Sequence, residues 1–285
     1  MKNEPYKGDN MKLKTFLEIP SWDWPEDVDR KILKVLRDNS VDESERLLAV
    51  ELASDSTVIN DDLAGELLAI VYEDKNSDSL RGRAAISLGP ALEYAFIDGF
   101  EDPDDVPISE NRFREIQKSL YKLYFDANIP KKVRRRVLEA SVRAPQDWHQ
   151  SAIQEAYSSV DKSWKLTAVF CMRFVRGFNE QVVVALDLEI PEIQYEAVCA
   201  AGNWEVDAAW SHIAALINSK DTEKYLLLAA IEAVASIRPQ EAAQILIDLT
   251  QSEDEDIAEA ASEAIEMTEM LSDLKDDDIS DEFLH

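Results

Sequence analysis

The stretch Pro191-Glu192-Ile193-Gln194-Tyr195-Glu196-Ala197-Val198-Cys199-Ala200-Ala201-Gly202 decides the fold. Counted from Ile193, apolar or small residues fall at offsets 0, 4, 7 and 8 (Ile193, Ala197, Ala200, Ala201), which is one face of an α-helix. Small side chains on that face let another helix approach closely. Pro191 suits the first turn, where the missing N–H has no intrahelical partner to lose.

The same pattern starts at Glu45, Leu80, Val133, Trp164, Leu226 and Ile257, which with Ile193 in its place gives successive spacings of 35, 53, 31, 29, 33 and 31 residues. Each copy predicts a buried helix. Amphipathic segments precede most copies, over 62–72, 113–124, 151–157, 180–188, 208–217 and 242–249, and Pro130 and Pro239 mark further helix starts. A helix-turn-helix unit of this length cannot bury its own apolar face, so neighbouring units must stack to make a core. The expectation is an all-α chain, an α-solenoid of about seven stacked helix-turn-helix repeats. One solenoid is expected over 19–271, after a flexible N-terminal segment (1–18) and before an acidic, frayed tail (272–285). The spacing of 53 holds about 20 residues beyond the period, assigned to an exposed acidic insertion at about 98–109. Before the first copy, Trp22 and Trp24 are placed to shield the open end of the stack, ahead of a helix over 27–38.

These segments, 191–202 and Arg81-Gly82-Arg83-Ala84-Ala85-Ile86-Ser87-Leu88-Gly89 above all, resemble the HEAT-repeat family, especially its short bacterial units. The resemblance runs over roughly 42–271 and implies a fold more than an activity. It also implies that the basic residue at the second pattern position (Arg46, Arg81, Arg134, with Lys165 similar) pairs with an acidic residue of an adjacent helix; the last two copies lack it. Among enzymes of this repeat type, deoxyhypusine hydroxylase needs His-Glu pairs for iron, and no His here precedes Glu. The repeat-built alkylpurine DNA glycosylases need a basic groove, and nothing in the sequence speaks for or against the tetrapyrrole site of phycobilin lyases.

Composition narrows the chemistry. The 285 residues are 46% hydrophobic, with 30 Lys and Arg against 58 Asp and Glu, a net charge of -28 that argues against nucleic acid. Seven Gly, where average usage gives about 20, disfavour glycine-rich phosphate loops. Two Cys (Cys171, Cys199) and three His (His149, His212, His285) make neither a disulfide framework nor a thiolate or HExxH zinc site. No apolar run suggests a signal core or a membrane span, so a cytoplasmic protein with no membrane association and no cofactor or metal is expected.

Charge is unevenly placed. Residues 110–176 carry 14 Lys or Arg and 7 Asp or Glu, a net of +7, leaving -35 for the rest. Arg135, Arg136, Arg143, Arg173 and Arg176 are candidates for binding an anionic protein segment or phosphorylated ligand, since guanidinium forks suit carboxylate and phosphate. The alternative is pairing with the protein's own carboxylates or with helix C-termini. A second candidate group is Asp147, Trp148, His149, Trp164, Asn203 and Trp204, residue types common at interaction hot spots, with gap-filling and helix capping as the alternative. The acidic loop 98–105 lacks EF-hand spacing and reads as solvated. Two functions follow: a non-enzymatic scaffold or adaptor that binds another protein bearing an acidic segment, or a small-ligand-binding or lyase-like enzyme with a Trp/His/Asp-lined groove.

Overall fold

The structure, a computed structural model, describes residues 12–102 and 106–281. Every regular element among the described residues is helical. The chain divides into two compact units, Met1–His149 and Gln150–His285.

The first unit holds α1 (Val28–Arg37), α2 (Glu43–Leu52), α3 (Asp61–Tyr72), α4 (Asp78–Ser87), α5 (Gly89–Asp98), α6 (Glu110–Phe125) and α7 (Lys131–Ser141). Successive helices pair as α1/α2, α3/α4 and α6/α7, and the pairs stack in two layers: α1, α3 and α6 in one, α2, α4 and α7 in the other. Starts are fixed locally. The side chains of Asp42, Asn60, Ser77 and Ser109 accept hydrogen bonds from first-turn N–H groups of α2, α3, α4 and α6. The layers meet on fully buried aliphatics, among them Ile32, Leu36, Leu63, Leu67, Leu80, Ile116 and Leu120. Each such side chain contributes roughly 1.5–3 kcal/mol through its removal from water.

α8 (Trp148–Tyr157) begins at the boundary. The second unit continues with α9 (Lys162–Cys171), α10 (Asn179–Leu186), α11 (Pro191–Asn203), α12 (Trp210–Asn218), α13 (Lys224–Ile237), α14 (Pro239–Leu246) and α15 (Glu255–Asp281). Here α9, α11, α13 and α15 form one continuous layer, with α10, α12 and α14 packed against it. The small pattern residues sit at its contacts: Ala197, Ala200, Ala201, Ala230, Ala233, Ala261 and Ala264 are all buried. Closest approach falls at Gly202, where a Cβ would lie 3.0 Å from the Cα of Ala233.

All seven copies of the pattern are helices, each the second of its pair, and each expected preceding segment is the first helix of its pair. Part of the extra length differs from expectation. Half of it is α5, a ten-residue helix that follows α4 almost without interruption, with Pro90 in its first turn and contacts to α4, α6 and α7. Residues 103–105 of the acidic insertion lie outside the described residues, as do 1–11 of the N-terminal segment. The rest of that segment includes a 3-10 helix, Leu13–Glu18, with Leu13 and Phe16 buried. Trp24 packs on Phe16 and its indole N–H is shared between the Phe16 and Ile19 carbonyls, whereas Trp22 is 79% exposed, so one Trp of the expected pair shields the end. α15 runs on through Asp281, into the stretch expected to fray.

Replacing Gly202 by Val forces α11 away from the α13 backbone. The urea midpoint is expected to fall by the equivalent of about 1–3 kcal/mol. Gly82→Ala, whose nearest neighbour is the flexible Arg136 stem at 3.2 Å, should leave it within about 0.5 kcal/mol.

Candidate functional site

In two of its four copies, Arg46 and Arg81, the recurrent basic position has a structural role, though a different one from that expected. Arg46 on α2 donates from Nη2 to the Leu36 carbonyl (3.2 Å) in the last turn of α1. Arg81 on α4 donates from Nε to the Val71 carbonyl (2.9 Å) in the last turn of α3. Gln194, at the equivalent position of α11, donates to the carbonyl of Leu186, the last residue of α10 (3.0 Å). The acceptors are therefore main-chain groups left open at helix C-termini, where a cation also meets the negative end of the dipole. Arg46 adds a bond to the Asn76 side chain (3.0 Å) and has no carboxylate within 4 Å among the described residues.

The basic helix α7 has two faces. Val133, Val137, Leu138 and Ala140 are buried. On the other side Arg135 and Arg136 flank Glu139, itself only 4% exposed, at 3.7 and 2.5 Å. One carboxylate held between two guanidiniums fixes the position of both forks. Next to them a groove of about 400 Å³ opens between α4 and α7. Its α4 wall is Asp78, Ser79, Gly82, Arg83 and Ile86, and its α7 wall is Lys132, Arg135 and Arg136. Gly82 makes room for the Arg136 stem. Arg83 and Lys132 are exposed and have no carboxylate within 4 Å among the described residues. The groove lining thus carries four basic side chains and one acidic one, Asp78.

The other candidates are engaged within the protein. Arg143 pairs with Glu93 of α5, its stem lying over Gly89. Arg173 pairs with Glu196 (3.1 Å) and lies beside Phe170 and Phe174. Burial opposes the charge on Arg173, but neighbouring Cys199 and Glu196 outweigh it and the guanidinium pKa is raised. Arg176 stacks over Trp204 at 4.6 Å. The Trp204 indole donates to the Met172 carbonyl (2.6 Å), and the Asn203 amide donates to the Arg173 carbonyl (3.2 Å). Arg173, Arg176, Asn203 and Trp204 therefore come together, as a clasp between the ends of α9 and α11. Trp164 is half-buried on α9.

The Asp147-Trp148-His149 group separates. Asp147 is exposed. Trp148 packs among Tyr121, Tyr124 and Phe125, over the His149 ring, with its indole donating to Gln146. His149, expected to face a ligand, is instead fully buried. Its Nδ1 accepts from the Gln146 N–H (2.8 Å), so Nε2 carries the proton toward Ser141 Oγ (3.0 Å), which donates onward to the Leu138 carbonyl (3.1 Å). Burial pushes its pKa down to about 4. With both nitrogens occupied, it ties α8 to the end of α7.

Sequence reasoning missed Arg83 as a groove residue. Its signal is its place two residues after the carbonyl-binding Arg81, hence on the other side of the same helix. Among the described residues no group of three His, Cys, Asp or Glu side chains is placed to hold a metal ion, and no helix is long and apolar enough to cross a membrane.

No family model matches the chain, and no curated protein matches it. Among solved structures it is similar to an engineered protein (17% identity, 73% of this chain and 96% of that one, TM-score 0.42). It is also similar to human deoxyhypusine hydroxylase in complex with glycerol (16% identity, 85% and 96%, TM-score 0.39). The fold assignment rests on the helix pairs themselves.

A neutral buried imidazole in the folded chain meets one that protonates below pH 6.5 when unfolded. The unfolded state then binds more protons as pH falls through the window from 6.5 to about 4, and folding loses up to about 3 kcal/mol. Thermal melts across that window are expected to show a His149→Gln variant with a flatter pH dependence than the wild type. Parallel curves would remove this role.

Proposed function

We propose that the protein is a HEAT-like repeat protein that acts without catalysis, binding an acidic segment of a partner protein in the groove between α4 and α7. One observation carries the reading: Arg83 and Lys132 stand free at the mouth of that groove, beside the Arg135–Glu139–Arg136 cluster, while most other candidate cations are engaged internally.

The chemistry follows from the groove's parts. Glu139 holds the Arg136 fork at the wall, limiting the side-chain entropy lost when a carboxylate docks. Arg83 and Lys132 supply point charges on either side. Gly82 and Ile86 give a floor on which an aliphatic stem can lie. The chain's net charge of -28 repels acidic partners at a distance, but at physiological salt the screening length is about 8 Å, so the local cations dominate once the segment enters. The resemblance in the repeat pattern and the two-cysteine content support a cytoplasmic adaptor.

A short fluorescein-labelled oligo-glutamate peptide provides the direct assay. The Arg83→Glu/Lys132→Glu double variant is expected to weaken binding at least about tenfold, whereas the equal charge change Lys118→Glu/Lys122→Glu, on the exposed side of α6, leaves affinity within about twofold. Equal losses in both would sink the reading.

A further inference from the structure

The second unit carries a groove of opposite sign, and the case for it does not depend on the α4–α7 groove. About 640 Å³ opens between α13 and α15, with Tyr195 of α11 at one end. Its floor is aliphatic, with Leu228 and Ala229 on one side and Ala260 and Ala264 on the other. The Tyr195 and Tyr225 rings stand 5.7 Å apart at 50°, making an aromatic wall, and Met267 closes the far rim. Tyr225 and Met267 are 40% and 37% exposed, so the groove presents apolar surface to water.

Charge selects the occupant. Glu232, Glu259 and Glu263 line the rim, all exposed, and none has a cation within 4 Å among the described residues. Asp256, also on the lining, is paired with Lys224, which holds Asp254 as well; Arg238 is committed to Asp207 and Glu241, and Arg173 to Glu196. Glu259 and Glu263 lie four apart on α15, a like-charge spacing that is unfavourable within an isolated helix. Their neighbours Ala260 and Ala264 put a stripe of small residues alongside the carboxylates, so charged and apolar rows run parallel. Burial, with Glu223 and Glu192 close by, raises the Tyr225 phenol pKa, so the ring keeps its neutral hydroxyl.

We infer that this groove docks a basic amphipathic segment of a partner protein, its apolar residues on the Leu228–Ala264 floor and its Lys or Arg side chains on Glu232, Glu259, Glu263 and the tyrosine faces. An aromatic pair beside unpaired carboxylates recognises an organic cation by ring quadrupole and by charge-assisted hydrogen bonds together. An exposed Met rim adapts to the apolar side chains beside it. Mere net acidity of the chain would attract any cation without regard to place, and the distinction is testable.

The probe is a fluorescein-labelled amphipathic peptide of Leu and Lys, measured by anisotropy on the full chain. The same peptide with Glu for Lys is the control. Glu259→Lys/Glu263→Lys is expected to weaken Lys-peptide binding at least about tenfold, and Tyr225→Ala about three- to tenfold. Glu180→Lys/Glu189→Lys, the same charge change on exposed positions away from the groove, should alter it less than about twofold. Equal weakening by both reversals means attraction to net charge alone and overturns the inference. So does Tyr225→Ala without effect, or binding of the Glu peptide in the same place. A chain that sediments as a dimer and becomes monomeric on Tyr225→Ala would put a second copy in the groove and also overturn it. Circular dichroism of each variant, superimposable on wild type, excludes unfolding as the cause. The Arg83→Glu/Lys132→Glu variant should bind the Lys peptide normally, so loss of the α4–α7 reading and loss of this one register separately.

Discussion

A pair of short helices has too little surface to enclose its own apolar face, and everything else in this molecule follows from that shortage. Within each unit the second helix of a pair must lie against the second helix of the next, and it does so at alanines and, in the second unit, at Gly202, where side chains stop at or before Cβ. Such contacts fix separation closely but offer few polar anchors. The polar work moves to the helix ends, where capping side chains close the N-termini and long donors from the partner helix close the C-termini.

That division of labour explains the charge map. A basic residue facing inward from α2 or α4 reaches a carbonyl, and on α4 a second one two positions further on reaches water. Arg81 and Arg83 illustrate the difference within a single turn: one is buried against Val71, the other lines an open groove. The +7 block of 110–176 is likewise not one surface. Arg143 and Arg173 bind the protein's own glutamates, Arg176 covers an indole, and the remaining excess converges on α7. In the second unit the few cations are drawn to helix-turn carboxylates, which leaves the α13–α15 groove acidic.

How far the sequence carries depends on the periodicity of the feature concerned. The buried helices are legible because offsets of 0, 4, 7 and 8 recur with small residues. Their partners are legible because proline and capping residues punctuate them. α5 is hidden because Gly89-Pro90 has the form of a break, and only the structure shows Pro90 in the first turn of a new helix. His149 is hidden for another reason: a single polar residue at a helix start carries no period, and its burial depends on Ser141 and Gln146 being placed to meet both ring nitrogens. Among 58 acidic residues, Glu259 and Glu263 stand out only once their lack of partners can be seen.

The bonds from Arg46, Arg81 and Gln194 share a further property: each acceptor is a carbonyl, present whatever residue supplies it. Such a joint has no second side chain that must change in step with the first. A long donor of another type can take over, as Gln194 does, and the helix it closes can alter its own sequence without losing the contact. Units joined in this way are free to drift apart in sequence while their geometry holds, and each can acquire its own surface charge, down to grooves of opposite sign in two parts of one chain.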